Sequence, residues 1–356
     1  MNETISPDRI PSDREVSREV PFESLPFVPR RFLSNSHVQT IAGNFLPRAN
    51  HLPAPVAELV EVSPADDTQI STRVLCHCHW QPADVRRVRP TVILVHGLEG
   101  SSDSQYIVGN ANKLWRAGAS VIRMNMRNCG GTEELSPTLY HSGLSGDVEA
   151  VMRFFLEREH LQSIALVGYS MGGNLVLKLA GELGSSAPRE LHSVVGVSPA
   201  IDLGPSATAL HRPENRLYEL RFLRNLIKRF RRKVQLFPRV FDPSRVDGIR
   251  SLRDFDHRIT ALYSGFQSAE DYYYRAAAAR VIDRIAVPTL VLHAVDDPFV
   301  HITPESLAAL QSNPNITLVQ TTHGGHCAFL AKSDPSCSDD GYWAESTLLR
   351  FVLAHA

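Results

Sequence analysis

Ser170 stands in Gly168-Tyr169-Ser170-Met171-Gly172, a G-x-S-x-G pattern. It falls directly after the apolar run Ile164–Val167 and directly before a helical stretch. A serine on a sharp strand-to-helix turn exposes its hydroxyl above a sheet, which suits nucleophilic attack on a carbonyl. Bulky side chains two positions either side would clash, hence the glycines. The following helix start offers backbone N–H groups and a positive dipole end to a developing oxyanion. The bland alternative, a glycine-rich turn with a bystander serine, is disfavoured by where the pattern falls.

A serine hydroxyl needs a base to take its proton, and the base needs an orienting acid. On a strand–turn–helix serine the chain order is serine, acid, histidine. After the run Thr289–Leu292 come Asp296 and Asp297. The Asp-x-x-Val spacing to Val300 favours Asp297, with Asp296 the competitor. After Ile316–Val319 come His323 and His326. His326 follows Gly324-Gly325, a pair that lets a loop turn sharply and present the ring, so His326 is favoured as base. Two N–H donors are needed for the oxyanion. Met171 follows the nucleophile, and Leu98 lies in His96-Gly97-Leu98-Glu99-Gly100 after the strand ending at Val95. This chemistry calls for no metal and no organic cofactor.

The elements that must hold these residues are legible as short, unalternating apolar runs. They are Thr91–Val95, Ser120–Met124, Ile164–Val167, Val194–Val197, Thr289–Leu292 and Ile316–Val319. Such runs predict strands buried on both faces. Amphipathic helical stretches lie between them at Ile107–Arg116, Leu144–Glu159, Asn174–Leu183 and Ser346–Ala354. The alternation predicts an α/β fold, a mostly parallel central sheet with helices on both faces. Val56–Val62 and Ile70–Trp80, joined by a turn at Pro64-Ala65-Asp66-Asp67, alternate like an antiparallel pair extending one edge. We divide the chain into a polar tail (1–26), a first part of the core with a wrapping N-terminal segment (27–203), a helical basic cap (204–280) and a second part of the core (281–356).

Composition narrows the classes. The 356 residues are 43% hydrophobic and 21% charged, the mix of a globular protein rather than a fibrous or disordered one. Lys+Arg 37 against Asp+Glu 38 gives a net charge of −1, which argues against a nucleic-acid binder. That neutrality is a cancellation, because residues 201–260 hold 14 Lys+Arg and 7 Asp+Glu. Five cysteines, an odd and small number, argue against a disulfide framework and for a reducing compartment. With no apolar signal region at the N-terminus, a cytoplasmic location is expected.

Together these residues resemble the α/β-hydrolase superfamily. More narrowly, Phe32-Leu33-Ser34-Asn35-Ser36-His37-Val38-Gln39-Thr40, Arg127-Asn128-Cys129-Gly130-Gly131, Tyr140-His141-Ser142-Gly143 and Gly168-Tyr169-Ser170-Met171-Gly172-Gly173-Asn174 are similar to its YheT-like branch, which includes ABHD-type esterases and lipases. The resemblance spans Phe32 to Phe351. It implies a serine hydrolase with Ser170, Asp297 and His326 as its triad, acting on carboxylic esters as a carboxylesterase or lipase. Acyl-glycerols or phospholipids are substrates in some relatives. A phospholipase, a thioesterase or a catalytically idle binding protein of the same fold are the alternatives. One departure is Asn128, where a glycine is usual.

Three weaker patterns remain. Cys76-His77-Cys78-His79 looks like a metal cluster, but on a strand the cysteines face one side and the histidines the other, so core thiols are expected. Cys327 beside His326 reads as a pocket wall. Arg221–Lys233 is basic and aromatic, with Phe222, Leu223, Leu226, Ile227 and Phe230 at helical spacing. It reads as a solvated cap helix or as a contact for an anionic membrane surface. No base-reading module accompanies it, so no nucleic-acid partner is expected. The expected partner is a small-molecule or lipid ester.

Overall fold

The computed structural model describes residues 26–65, 70–333 and 340–356. The N-terminal tail other than Pro26, the Asp66-Asp67 part of the turn and Cys337 lie outside the described residues.

Among the described residues, eight strands form one sheet: β1 (Val56–Ser63), β2 (Thr72–His79), β3 (Thr91–Val95), β4 (Ser120–Met124), β5 (Ile164–Tyr169), β6 (Leu191–Val197), β7 (Thr289–Ala294) and β8 (Ile316–Thr321). Their order is β1-β2-β4-β3-β5-β6-β7-β8. β1 pairs with β2 and β2 with β4 antiparallel; every later pairing is parallel. The β1–β2 pair thus extends one edge.

The unalternating runs have a direct structural cause. Every residue of β3, β4, β5 and β7 is buried, because both faces of the sheet are covered. Val92 and Leu94 pack with Ile107 and Leu114 of α2 (Gln105–Arg116) and with Leu348 and Phe351 of α8 (Trp343–Ala354). Ile93 and Val95 point the other way, into the layer of Phe155 from α3 (Ser145–Glu159) and Leu175 from α4 (Met171–Leu183). The edge strands β1 and β8 are only partly buried.

Between β6 and β7 the chain leaves the sheet. It forms α5 (Leu203–Leu210), α6 (Arg216–Leu236), a π-helical segment (Asp256–Thr260) and α7 (Ala269–Ala276). At 21 residues, α6 is about 31 Å long. Its buried stripe is Glu219, Leu223, Leu226, Phe230 and Lys233, spaced alternately by four and three.

Two members of that stripe are charged, which differs from an apolar face opposite a solvated charged one. Lys233 Nζ donates to Asn128 Oδ1 at 2.9 Å and to the carbonyls of Glu133, at 2.8 Å, and Ser136. Glu219 accepts from Leu252 N at 3.0 Å and meets His211 Nδ1 at 2.9 Å. Partners on neighbouring segments replace water at these positions.

Candidate active site

The turn after β5 is built for close approach. A Cβ on Gly168 would lie 2.1 Å from the Gly172 carbonyl oxygen, and one on Gly172 would lie 2.4 Å from the carbonyl oxygens of both Val95 and His96. Only glycines let α4 start this close to β5 and β3. Between them Ser170 holds φ 54 and ψ −116, strained for a residue with a side chain. Backbone bonds hold it there: Ser170 N donates to Val197 O at 2.9 Å, and its carbonyl accepts from Asn174 N at 3.0 Å and Ala200 N at 3.2 Å. The helix begins at Met171, earlier than the hydrophobic period suggests.

Loops at the ends of β7 and β8 bring the other two groups to this serine. His326 Nε2 lies 2.9 Å from Ser170 Oγ, and His326 Nδ1 lies 2.8 Å from Asp297 Oδ2. The second oxygen of Asp297 accepts from Phe299 N at 3.1 Å and Val300 N at 2.9 Å. The carboxylate side chain is fully buried, and the Phe299 ring sits 4.3 Å from the imidazole, centroid to centroid.

Burial opposes charge on both groups, but the Asp297 carboxylate outweighs it at His326 and raises the imidazole above its ordinary value, with Cys327 acting in the same direction. At Asp297 burial again opposes the charge. Attraction from His326 and the Val300 N–H overcome it and hold the carboxyl below the usual range.

The competing pair sits on the same loops and does a different job. Asp296 Oδ1 accepts from Gly325 N at 2.9 Å, and Asp296 Oδ2 is 3.4 Å from His323 Nδ1. Asp296 therefore braces the histidine loop, and the partner of the Ser170 hydroxyl is His326.

Leu98 and Met171 both line the cavity that Ser170 opens into. Met171 opens α4, so its N–H has no acceptor four residues back within the helix. The Leu98 loop lies against the serine: a Cβ on Gly97 would be 3.1 Å from Ser170 Cβ. The neutral His96, pulled down to about 4 by burial, bonds Gly97 O at 2.8 Å through Nδ1 and accepts from Met126 N at 3.1 Å through Nε2.

Sequence reasoning misses the braces. Tyr106 Oη accepts from Gly97 N at 2.8 Å and sets the Leu98 loop. Thr40 Oγ1 accepts from His326 N at 2.9 Å, and Gln39 bonds Leu330 N at 2.9 Å and Leu330 O at 3.3 Å. The His-Val-Gln-Thr run on α1 (Ser36–Phe45) thus holds the histidine loop. The run is visible in the sequence, but its partner is not. Glu99 and Arg229 stand in segments the sequence singles out, but nothing in it marks them as a pair. Arg229 Nε lies 3.1 Å from Glu99 Oε1, tying α6 to the Leu98 loop.

Two cavities meet at Ser170. One, of about 140 Å³, runs under the β6–β7 insertion among mostly apolar side chains such as Leu139, Leu210, Leu226, Phe230 and Phe255. The other, of about 240 Å³, opens between α1 and α6 past Tyr218, Arg221 and Phe222. Cys327 lines the second as a wall. The Cys76–His79 run disperses: Cys76 and Cys78 are buried thiols, His77 bonds Ser102 Oγ at 2.9 Å and His79 accepts from Arg123 Nε at 3.2 Å. No cluster of three or more His, Cys, Asp or Glu able to hold a metal occurs among the described residues.

The alpha/beta hydrolase fold family matches residues 90–333, most of the sheet and all of these groups except the α1 braces. The chain belongs to the α/β-hydrolase family. Within it, the chain is 32% identical to YheT of Escherichia coli (strain K12) over 317 residues, which is 86% of this chain and 88% of that protein. It is 31% identical to the phospholipase ABHD3 of Mus musculus over 246 residues, 68% of this chain, and spans 59% of that relative's length. Among solved structures, 2,6-dihydroxy-pseudo-oxynicotine hydrolase superimposes with a TM-score of 0.53 at 18% identity, covering 89% of this chain and 72% of its own. That likeness is one of fold.

Proposed function

We propose that this α/β-hydrolase cleaves carboxylic esters through an acyl-enzyme on Ser170. It is an ester-cleaving enzyme of the serine-hydrolase type. The observation that carries the catalytic assignment is the unbroken run Ser170 Oγ, His326 Nε2 at 2.9 Å, His326 Nδ1, Asp297 Oδ2 at 2.8 Å. Ser170 Oγ attacks the ester carbonyl carbon while His326 Nε2 takes its proton. The carbonyl electron pair moves onto oxygen, where the N–H groups of Met171 and Leu98 stabilise it. Collapse expels the alcohol, which receives the proton from His326. Water then repeats the attack, releasing the acid and restoring Ser170. Asp297 holds the imidazole and stabilises its cation. No metal or organic cofactor enters these steps. Residues 204–280 serve as the cap that encloses the acyl cavity.

A fluorophosphonate is expected to label Ser170, and Ser170→Ala to cut turnover of a short p-nitrophenyl ester by about 10⁴ or more. Labelling elsewhere, or unchanged turnover, refutes the mechanism. An idle binding protein of this fold has no need for such a connected run, and it would escape labelling.

A lipid-surface partner belongs to the same proposal. Arg221, Arg224, Lys228, Arg231 and Arg232 are exposed on α6 and make no ion pair among the described residues. Exposed Leu217 and Leu220 lie on the same helix, and Ile41 and Phe45 on α1 are exposed across the second cavity. Cations beside apolar side chains at a cavity mouth suit an anionic membrane. Sedimentation with phosphatidylglycerol vesicles but not phosphatidylcholine vesicles is the expected result, and equal recovery with both refutes it. Within this reading the substrate is a lipid ester, phospholipid included. A cytoplasmic location is proposed on the buried thiols of Cys76, Cys78 and Cys129.

A further inference from the structure

The cavity beneath the β6–β7 insertion is not a plain hydrocarbon slot. Asp256, on the π-helical segment, lines it together with Ser170, and it is the one carboxylate among the described lining residues. Thr260 Oγ1 donates to Asp256 Oδ1 at 2.8 Å, and Tyr273 Oη donates to Oδ2 at 2.8 Å. No cation lies within salt-bridge distance of it among the described residues; Arg253 acts on it only from farther away. The one basic side chain in the lining besides histidine, Arg229, is already engaged by Glu99 and the Asn128 carbonyl. Each carboxylate oxygen accepts one bond and has capacity for another.

A second polar group lines the same cavity. His141 Nδ1 accepts from Gly143 N at 3.1 Å, which leaves the ring proton on Nε2. Burial, with Arg127, Lys178 and Arg275 nearby, keeps this imidazole neutral. The Nε2–H remains as a donor on a half-buried ring in the cavity lining. Phe266 and Tyr272 meet the ring edge-on at 5.2 and 5.9 Å between centroids and hold its orientation.

A carboxylate with no cation in contact is costly in the wall of an apolar cavity, and a neighbouring N–H donor in the lining adds a second polar group to satisfy. Both costs fall when the occupant carries a group that donates to one or accepts from the other. A hydroxyl does both, and a hydroxyl bonded to a carboxylate is among the stronger hydrogen bonds. We propose that the acyl cavity selects acyl chains carrying a hydroxyl group, which Asp256 receives as acceptor in a cavity that His141 also lines. This rests on the ester-hydrolase reading and specifies its substrate class.

The test compares kcat/KM of the wild-type protein for p-nitrophenyl hexanoate, octanoate and decanoate with their omega-hydroxy counterparts. At the best-matched length the hydroxylated ester is expected to be favoured by about tenfold. Asp256→Leu is expected to invert that ratio. Asp256→Asn, whose amide oxygen still accepts, is expected to keep part of it. A ratio within about twofold of unity at every length, or one that survives in folded Asp256→Leu, overturns the inference. The wild-type ratios stand even if a variant does not fold. Fluorophosphonate labelling of wild-type protein runs alongside. Labelling without hydroxyl preference removes this inference alone, whereas no labelling and no ester turnover remove the ester-hydrolase reading itself.

Discussion

Lys233, fully buried on α6, donates to Asn128 Oδ1 at 2.9 Å. Asn128 holds φ 62, in the left-handed region that favours glycine and tolerates asparagine. The residue found where a glycine is usual therefore keeps the backbone a glycine would adopt and adds an acceptor. Its Nδ2 also donates to Thr138 O at 2.8 Å, and its carbonyl accepts from Arg229. Burial pulls the Lys233 ammonium down to about 7, opposed by Glu133. Asn128→Gly removes an acceptor that a buried ammonium uses, at an expected cost of about 1–2 kcal/mol in urea unfolding. Lys233→Met strands the acceptors that served it and should cost about 2–4 kcal/mol. The double variant should be less destabilised than the two costs added, because the pair shares one bond. Simple additivity would show that the two residues act independently.

The glycines of the serine turn separate space from flexibility. Gly172→Ala places a methyl 2.4 Å from two backbone oxygens, and backbone cannot rotate aside as a side chain can. We expect a loss of about 3 kcal/mol or more in thermal or denaturant unfolding. A Cβ added at Gly146 on α3 would meet nothing within 4 Å, so Gly146→Ala should stabilise by about 0.5 kcal/mol through helix propensity. Similar losses at both positions would show that Gly172 is needed for something other than close approach.

What the chain alone reveals follows from how local each cause is. Strand β3 reads as Thr91-Val92-Ile93-Leu94-Val95 because both of its faces are buried, and that imprint is contiguous in sequence. Ser170 is legible because its turn demands glycines two positions away on either side. Asp297 and His326 are legible as loop residues after strands. The Asp-x-x-Val spacing and the Gly324-Gly325 pair favour them over Asp296 and His323, and the three-dimensional register sends one pair to the serine and the other to the loop. The bond from His326 to Thr40 joins residues 286 positions apart, and no periodicity reports it. Polarity assigns Arg229 and Lys233 to the solvent side of α6, and nothing in the pattern marks Glu219 as buried. Their partners lie on other segments, where a helical pattern cannot register them.

The two aspartates should separate cleanly in kinetics. Asp297→Asn leaves a similar shape but removes the charge facing His326 Nδ1, and kcat/KM for a p-nitrophenyl ester should fall by about 10³–10⁴. Asp296→Asn keeps an oxygen for the Gly325 N–H and should cost less than about tenfold. Equal losses would mean that Asp296, not only Asp297, is needed to set the imidazole.

The same pair predicts how activity and stability move with pH. Attack needs neutral His326, and Asp297 raises that ring above about 6.5 against the opposing effect of burial. The acidic limb of kcat/KM should therefore lie above the ordinary imidazole value. Removing the carboxylate in Asp297→Asn should shift the limb to lower pH as well as lowering the plateau. For stability the signs are opposite at the two groups. The raised pKa of His326 stabilises the fold fully below about pH 6.5 and is lost as pH climbs through the folded-state value. The lowered pKa of Asp297 stabilises above about pH 3.9 and is lost as pH falls through its folded-state value. Wild type should thus lead Asp297→Asn in denaturant midpoint most near pH 5–6, with the lead shrinking as the medium becomes alkaline. A lead that grows with pH would mean the imidazole is not held by this carboxylate.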